Sequence, residues 1–172
     1  LILSLIFWNY LKINNNRNIS DKINSKIPFL FLILVFIQIG IGAFVSGMDA
    51  GKIYNSWPFM GDTYFPDDNN ISNLFEWSAF SDPSLVQFIH RNLAYVIGIF
   101  YLSILYIIYK KRLYNLYKSI NILGCLIVLQ IILGILTIIY GAQIYLASMH
   151  QISSIFLVSS CVYFLYIHTR FN

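Results

Sequence analysis

Three histidines stand in a chain that offers few other groups able to do chemistry: His90, His150 and His168. Each falls within a long apolar run. An imidazole in hydrocarbon is costly, so each is a site candidate by default. His90 lies about six residues into one run and His150 about five into another, which puts both roughly 7–10 Å below the same membrane surface. They sit on helices that run in the same direction, and two imidazoles at one depth can hold a metal between them. His168 follows His150 by 18 residues, a rise of roughly 27 Å. It belongs at the opposite interface and cannot share their site. Zinc usually takes four ligands, and no Cys, Asp or Glu lies at this depth. Haem iron needs only two axial ligands, and helix bundles that ligate a cofactor from facing helices are a known solution. The residues therefore point to haem iron with His90 and His150 as metal ligands.

The neighbours bear on this in different degrees. Arg91 adjoins His90 where a charge is expensive. A haem propionate would neutralise it, which makes Arg91 a cofactor-binding candidate. The alternative is that it snorkels to headgroups or pairs with an acidic loop. Ala94 and Ser154 stand at i+4 from the histidines, with Gly42 and Gly134 at similar depth on two other runs. Such small residues open a slot for a flat macrocycle, or simply allow close helix packing. Gln38-Ile-Gly-Ile-Gly42 resembles Gln130-Ile-Ile-Leu-Gly134, and each precedes a run with one histidine near its outer end. Two helix pairs of like design would place His90 and His150 about a pseudo-twofold axis. Gln38 and Gln130 are expected to hydrogen-bond between helices or to backbone. Cys125 and Cys161 read as buried packing residues.

The elements that must position these groups follow from composition. The 172 residues are 58% hydrophobic and only 10% charged, against about 25% charged in an ordinary soluble domain. A disordered chain is excluded, and a soluble globule would be hard to keep in solution. Two cysteines exclude a disulfide scaffold and a cysteine zinc site. Spanning the hydrocarbon core takes about 20 apolar residues. Four runs qualify, at about 27–47, 84–109, 119–141 and 145–168. The run at 1–11 is too short to span. It reads as the end of a fifth helix whose beginning is missing, because a signal peptide would need a basic start and a small-residue cleavage site.

Charge orients the runs. Segment 12–26 carries Lys12, Arg17, Lys22 and Lys26 against Asp21. The loop at 110–118 carries Lys110, Lys111, Arg112 and Lys118, and Arg170 lies in the tail. The loop at about 48–83 holds six of the seven acids: Asp49, Asp62, Asp67, Asp68, Glu76 and Asp82. A net charge of +4 distributed this way follows the positive-inside rule and not a nucleic-acid surface. Both basic loops and the C-terminus are expected on the cytoplasmic or matrix side. The fold class is then an all-α integral membrane protein, a four-helix transmembrane bundle over 27–168 preceded by the end of another helix. The acidic outer loop also holds Trp57, Phe59, Tyr64, Phe65, Phe75 and Trp77, as a lid on the bundle, an interfacial aromatic belt, or both.

Five segments now resemble one known family. They are Gly42-Ala-Phe-Val-Ser-Gly-Met-Asp-Ala-Gly51, Tyr54-Asn-Ser-Trp-Pro-Phe-Met-Gly-Asp62, Gln87-Phe-Ile-His-Arg-Asn-Leu-Ala-Tyr95, Leu133-Gly-Ile-Leu-Thr137 and Leu146-Ala-Ser-Met-His-Gln151. In this order they resemble the signatures of haem A synthases. The resemblance implies eight transmembrane helices in two similar halves, each with a histidine pair. This sequence resembles the C-terminal half, preceded by the end of the fourth helix. That half is implied to bind haem b, with His90 and His150 as axial ligands. The implied reaction oxidises a methyl group of haem O to the formyl group of haem A, for cytochrome c oxidase. Its substrate site and catalytic Glu are assigned to the N-terminal half. Glu76, in the outer loop, does not match that position, so no catalytic residue is assigned here and catalysis by these residues alone is not implied. Implied partners are the bilayer, the N-terminal half, haem O, haem O synthase and an electron donor. The implied location is a bacterial or mitochondrial inner membrane. Two other readings stand beside this one: a stand-alone bis-histidine membrane cytochrome b, and a non-haem assembly or scaffold protein.

Overall fold

A computed structural model describes residues 1–14 and 22–169. Arg17, Asp21 and Arg170, which enter the charge argument, lie outside the described residues. Five helices follow in order: α1 (Ile2–Asn14), α2 (Lys26–Gly47), α3 (Pro83–Lys110), α4 (Tyr114–Ile139) and α5 (Ile144–Tyr166). The last four are long and apolar enough to cross a membrane, so the protein is a multi-pass helical membrane protein. Three 3₁₀ turns, Ala50–Lys52, Ile71–Phe75 and Trp77–Ser81, punctuate the long loop.

The helices overrun the expected spans at several ends. Helix α4 begins at Tyr114, ahead of the expected Ser119, and leaves a tight connection of three residues after Lys110. Hydropathy marks where hydrocarbon begins, whereas a helix continues into the interface while its side chains find partners. Here Tyr117 stacks on Tyr109 with ring centroids 4.2 Å apart. Helix α3 starts where its sequence says it should. Asp82 is the N-cap and accepts from the Leu85 amide at 2.9 Å, with Pro83 in the first helical position.

Packing sorts the helices into pairs. Helix α2 lies on α3 and α4 on α5, with α2 against α5 and α3 against α4 closing the bundle, while α1 rests on α5. The buried apolar core fills the end that carries the short basic connection. Phe31 and Val35 meet Ile104 and Ile108, Leu116, Ile120 and Leu123, and Cys161 and Phe164 there. Both cysteines are free, Cys161 buried and Cys125 exposed. The Tyr101 side chain lies against Gly124, where an added Cβ would overlap its hydroxyl and ring. That hydroxyl donates to the Ile120 carbonyl at 3.2 Å. Gly98 faces open space.

Gly124→Ala is expected to destabilise the bundle by about 1–3 kcal/mol through overpacking, seen as a lower thermal midpoint in detergent. Gly98→Ala should match or exceed the parent, because Ala is the better helix former by roughly 1 kcal/mol.

Candidate functional site

His90 on α3 and His150 on α5 lie at the other end of the bundle, beyond the buried core and beneath the long loop. Each is served by the helix paired with its own. Gln38 of α2 donates through Nε2 to the His90 backbone carbonyl at 3.0 Å. Gln130 of α4 donates to the His150 carbonyl at 3.2 Å. One helical turn on from each glutamine, a glycine lies against the imidazole. A Cβ on Gly42 would sit 3.1 Å from His90 Cε1, and one on Gly134 would sit 3.3 Å from His150 Cε1. The Gln-x-x-x-Gly resemblance is therefore a repeated contact, made twice on two helix pairs. The glycines are small because the rings need the room.

Both imidazoles retain chemistry that the protein does not use. Nδ1 of each is buried with no hydrogen-bond partner. Among the described residues, no three His, Cys, Asp or Glu side chains gather into a metal cluster. Ser154 turns its hydroxyl back to the Gln151 carbonyl at 2.6 Å. His168 is buried far from this pair, with Nδ1 donating to the Phe164 carbonyl at 2.6 Å and its ring edge-on to Phe164.

Arg91 points into the loop. It is 7% exposed. Nη1 donates to the carbonyls of Ser56 at 2.9 Å and Phe59 at 3.3 Å, and Nη2 to that of Tyr54 at 3.0 Å. Its Nε is buried without a partner. Gln87, one turn earlier, donates to the same Tyr54 carbonyl at 3.0 Å. Backbone acceptors carry no letter in a sequence, so this clasp could not be read from residue types. The loop is fastened elsewhere too. Ser84 donates to Asp68 at 2.6 Å and Asn55 to the Ile138 carbonyl at 3.0 Å. Tyr54 donates to Asp67. Burial works against the charge on Asp68, but hydrogen bonds from Ser84, Asn69 and Tyr54 outweigh it and hold the carboxyl below its ordinary 3.8. Some of the loop aromatics pack on α3 and others stand exposed. Trp57 donates to the Tyr95 hydroxyl at 3.0 Å, and Tyr64 and Phe65 pack edge-on against Phe88. Phe75 and Trp77 are 86% and 91% exposed.

Two tests follow. Arg91→Ala should cost the loop about 2–3 kcal/mol, the worth of a charged hydrogen-bonded group. Chymotryptic cleavage at Phe59 and Tyr64 should appear while the spans stay intact. A depressed carboxylate stabilises above its unfolded pKa and stops doing so as pH falls through its folded pKa. Amide protection around 66–85 should therefore hold from pH 7 down to about pH 4 and decline below it, and Asp68→Asn should remove that dependence.

Residues 1–162 match the family profile described as cytochrome oxidase assembly protein, COX15-CtaA. A protein named Heme A synthase from Pelagibacter ubique is 43% identical over 99% of this chain and 50% of its own length. Another of that name from Rickettsia bellii is 33% identical over 95% of this chain and 51% of its own. The chain thus spans about half the length of the curated relatives it matches. No solved structure matches it. By the extent of these matches, the chain belongs to the COX15-CtaA family of cytochrome oxidase assembly proteins.

Proposed function

We propose that this chain is the haem b-binding part of a haem A synthase, the oxidoreductase that converts the methyl group of haem O to the formyl group of haem A for cytochrome c oxidase. The observation that carries the reading is the duplicated histidine setting. Each imidazole has a glutamine of the paired helix on its own backbone carbonyl and a glycine against its ring. Two like settings, each making room beside one imidazole, fit a two-ligand macrocycle held between helix pairs.

His90 and His150 are the proposed axial ligands, one from each helix pair. Haem held by two histidines supplies one-electron transfer and leaves no open iron position for oxygen. The protein's own contribution is placement. Gln38 and Gln130 fix the height of the two histidine helices, and the glycines leave the rings room. Arg91 has a buried Nε donor to spare and is the proposed partner for a propionate, while its other donors hold the loop over the site. Substrate chemistry, with haem O, haem O synthase and an electron donor as partners, is proposed for the whole enzyme. The loop with the acids is assigned to the outer face, and Lys110, Lys111, Arg112 and the C-terminus to the cytoplasmic or matrix face.

A reduced-minus-oxidised optical spectrum of the detergent-purified chain, with pyridine haemochrome typing, tests this. Sharp low-spin b-type bands near one haem per chain are expected. His90→Ala and His150→Ala should each lose them and His168→Ala should keep them. Equal haem in all three variants, or a colourless parent from haem-replete cells, would sink the ligand assignment. Gly42→Val and Gly134→Val should each cut haem content by more than about half, because overpacking displaces the ring. Gly40→Val, with open space at that position, should not.

A further inference from the structure

The two histidine settings differ in one hydrogen bond, and that difference assigns them different tasks. An amide NH₂ carries two donors. Gln38 spends one on the His90 carbonyl at 3.0 Å and directs the other at His90 Nε2, 3.3 Å away. The carbonyl can only accept, so the atom facing it is the amide nitrogen and not the oxygen. The contact to the ring is therefore a donation from Gln38. His90 is then the tautomer with its proton on Nδ1 and its lone pair on Nε2, turned toward Gln38. Gln130 spends one donor on the His150 carbonyl at 3.2 Å and the other on Ser153 Oγ at 2.5 Å. Nothing from Gln130 is left for the His150 ring. Ser153 in turn donates to the His150 carbonyl at 3.0 Å. Three residues past His90, the place of Ser153 is held by Leu93, which offers no acceptor.

We propose that Gln38 is a placeholder for the metal at His90, and that Ser153 keeps Gln130 from acting likewise at His150. The inference rests on the bis-histidine reading above. In the empty protein Gln38 holds His90 in the ligating tautomer and occupies its lone pair. A metal held at Nε2 would need the lone pair that this hydrogen bond uses, while the bond from Gln38 to the carbonyl could stay. His150 has no such bond to lose. Capture is therefore ordered, first on His150 and then on His90, and Gln38 is a positioning residue that sets the rate of the second step.

Mixing haemin with the purified apo-chain in detergent, followed in the Soret region, tests the order. The parent should show a five-coordinate high-spin species first and low-spin haem second. Gln38→Met cannot donate, and Leu93→Ser gives Gln38 a hydroxyl to turn to. Each should speed the second phase by roughly three- to tenfold, the worth of one hydrogen bond, and Leu93→Ser, which keeps the Gln38 bond to the carbonyl, should leave the first phase alone. Ser153→Ala frees the second donor of Gln130 and should slow the first phase. Leu93→Ser keeps Gln38, so the test survives if Gln38→Met does not fold. General structural damage would slow both phases. Low-spin haem forming in one step in the parent, or a second phase unchanged in both Gln38→Met and Leu93→Ser, overturns the proposal. Failure of the bis-histidine reading looks different: the parent never becomes low-spin, or His90→Ala becomes low-spin as readily.

Discussion

Two side-chain amides bridging helices in an apolar medium set the geometry on which the rest depends. Lipid tails offer no competing acceptor, so a glutamine NH₂ inside a bundle must find its acceptor in protein. Gln38 finds the carbonyl of His90 and Gln130 that of His150. Each bond fixes how far one helix has slid along its neighbour. That fixes which residue of α2 or α4 lies over the imidazole, and in both pairs it is a glycine. Slippage along the helix would carry the glycine off the ring. The hydrophobic effect cannot supply this register, because lipid tails are as apolar as the side chains they would replace.

The bundle divides its labour along its length. At the end with the basic connection, Phe31, Leu116, Ile120, Leu123 and Phe164 are fully buried and hold the four helices together. At the other end the loop takes over, clasped to α3 by Arg91 and Gln87 and tied to its first turn through Asp68 and Asp82. His90 and Arg91 are consecutive, so on a helix they point about 100° apart. One turn of α3 thus serves the histidine pair on one side and the loop on the other.

Much of this was legible in the sequence, and the reasons are physical. Spans are readable because hydrocarbon thickness fixes a helix length. Depth is readable because rise per residue is constant, which is how His90 and His150 met on paper and His168 was set apart. The Gln-x-x-x-Gly likeness was visible but ambiguous, because a small residue in a membrane helix serves close packing and ligand slots alike. What stayed hidden was whatever depends on backbone acceptors. The three carbonyls that hold Arg91 belong to Tyr54, Ser56 and Phe59, whose side chains give no hint of them. The different company kept by Gln38 and Gln130 was hidden for the same reason. It rests on Leu93 against Ser153, a pair that acquires meaning only once the two helix pairs are superposed.

The glycine contacts also bear on how this sequence can change over generations. Its 30 isoleucines and 14 asparagines make it a chain rich in a few residue types. Lipid-facing positions such as Ile99, Leu102, Ile132 and Ile155, all exposed on the bundle, can vary freely, since one branched aliphatic serves as well as another in hydrocarbon. Gly42 and Gly134 are less free, because a Cβ at either would press on a ring at 3.1 or 3.3 Å. In such a lineage the two glycines should persist while the isoleucines around them are exchanged. A substitution at either would be tolerated best together with a change at its histidine.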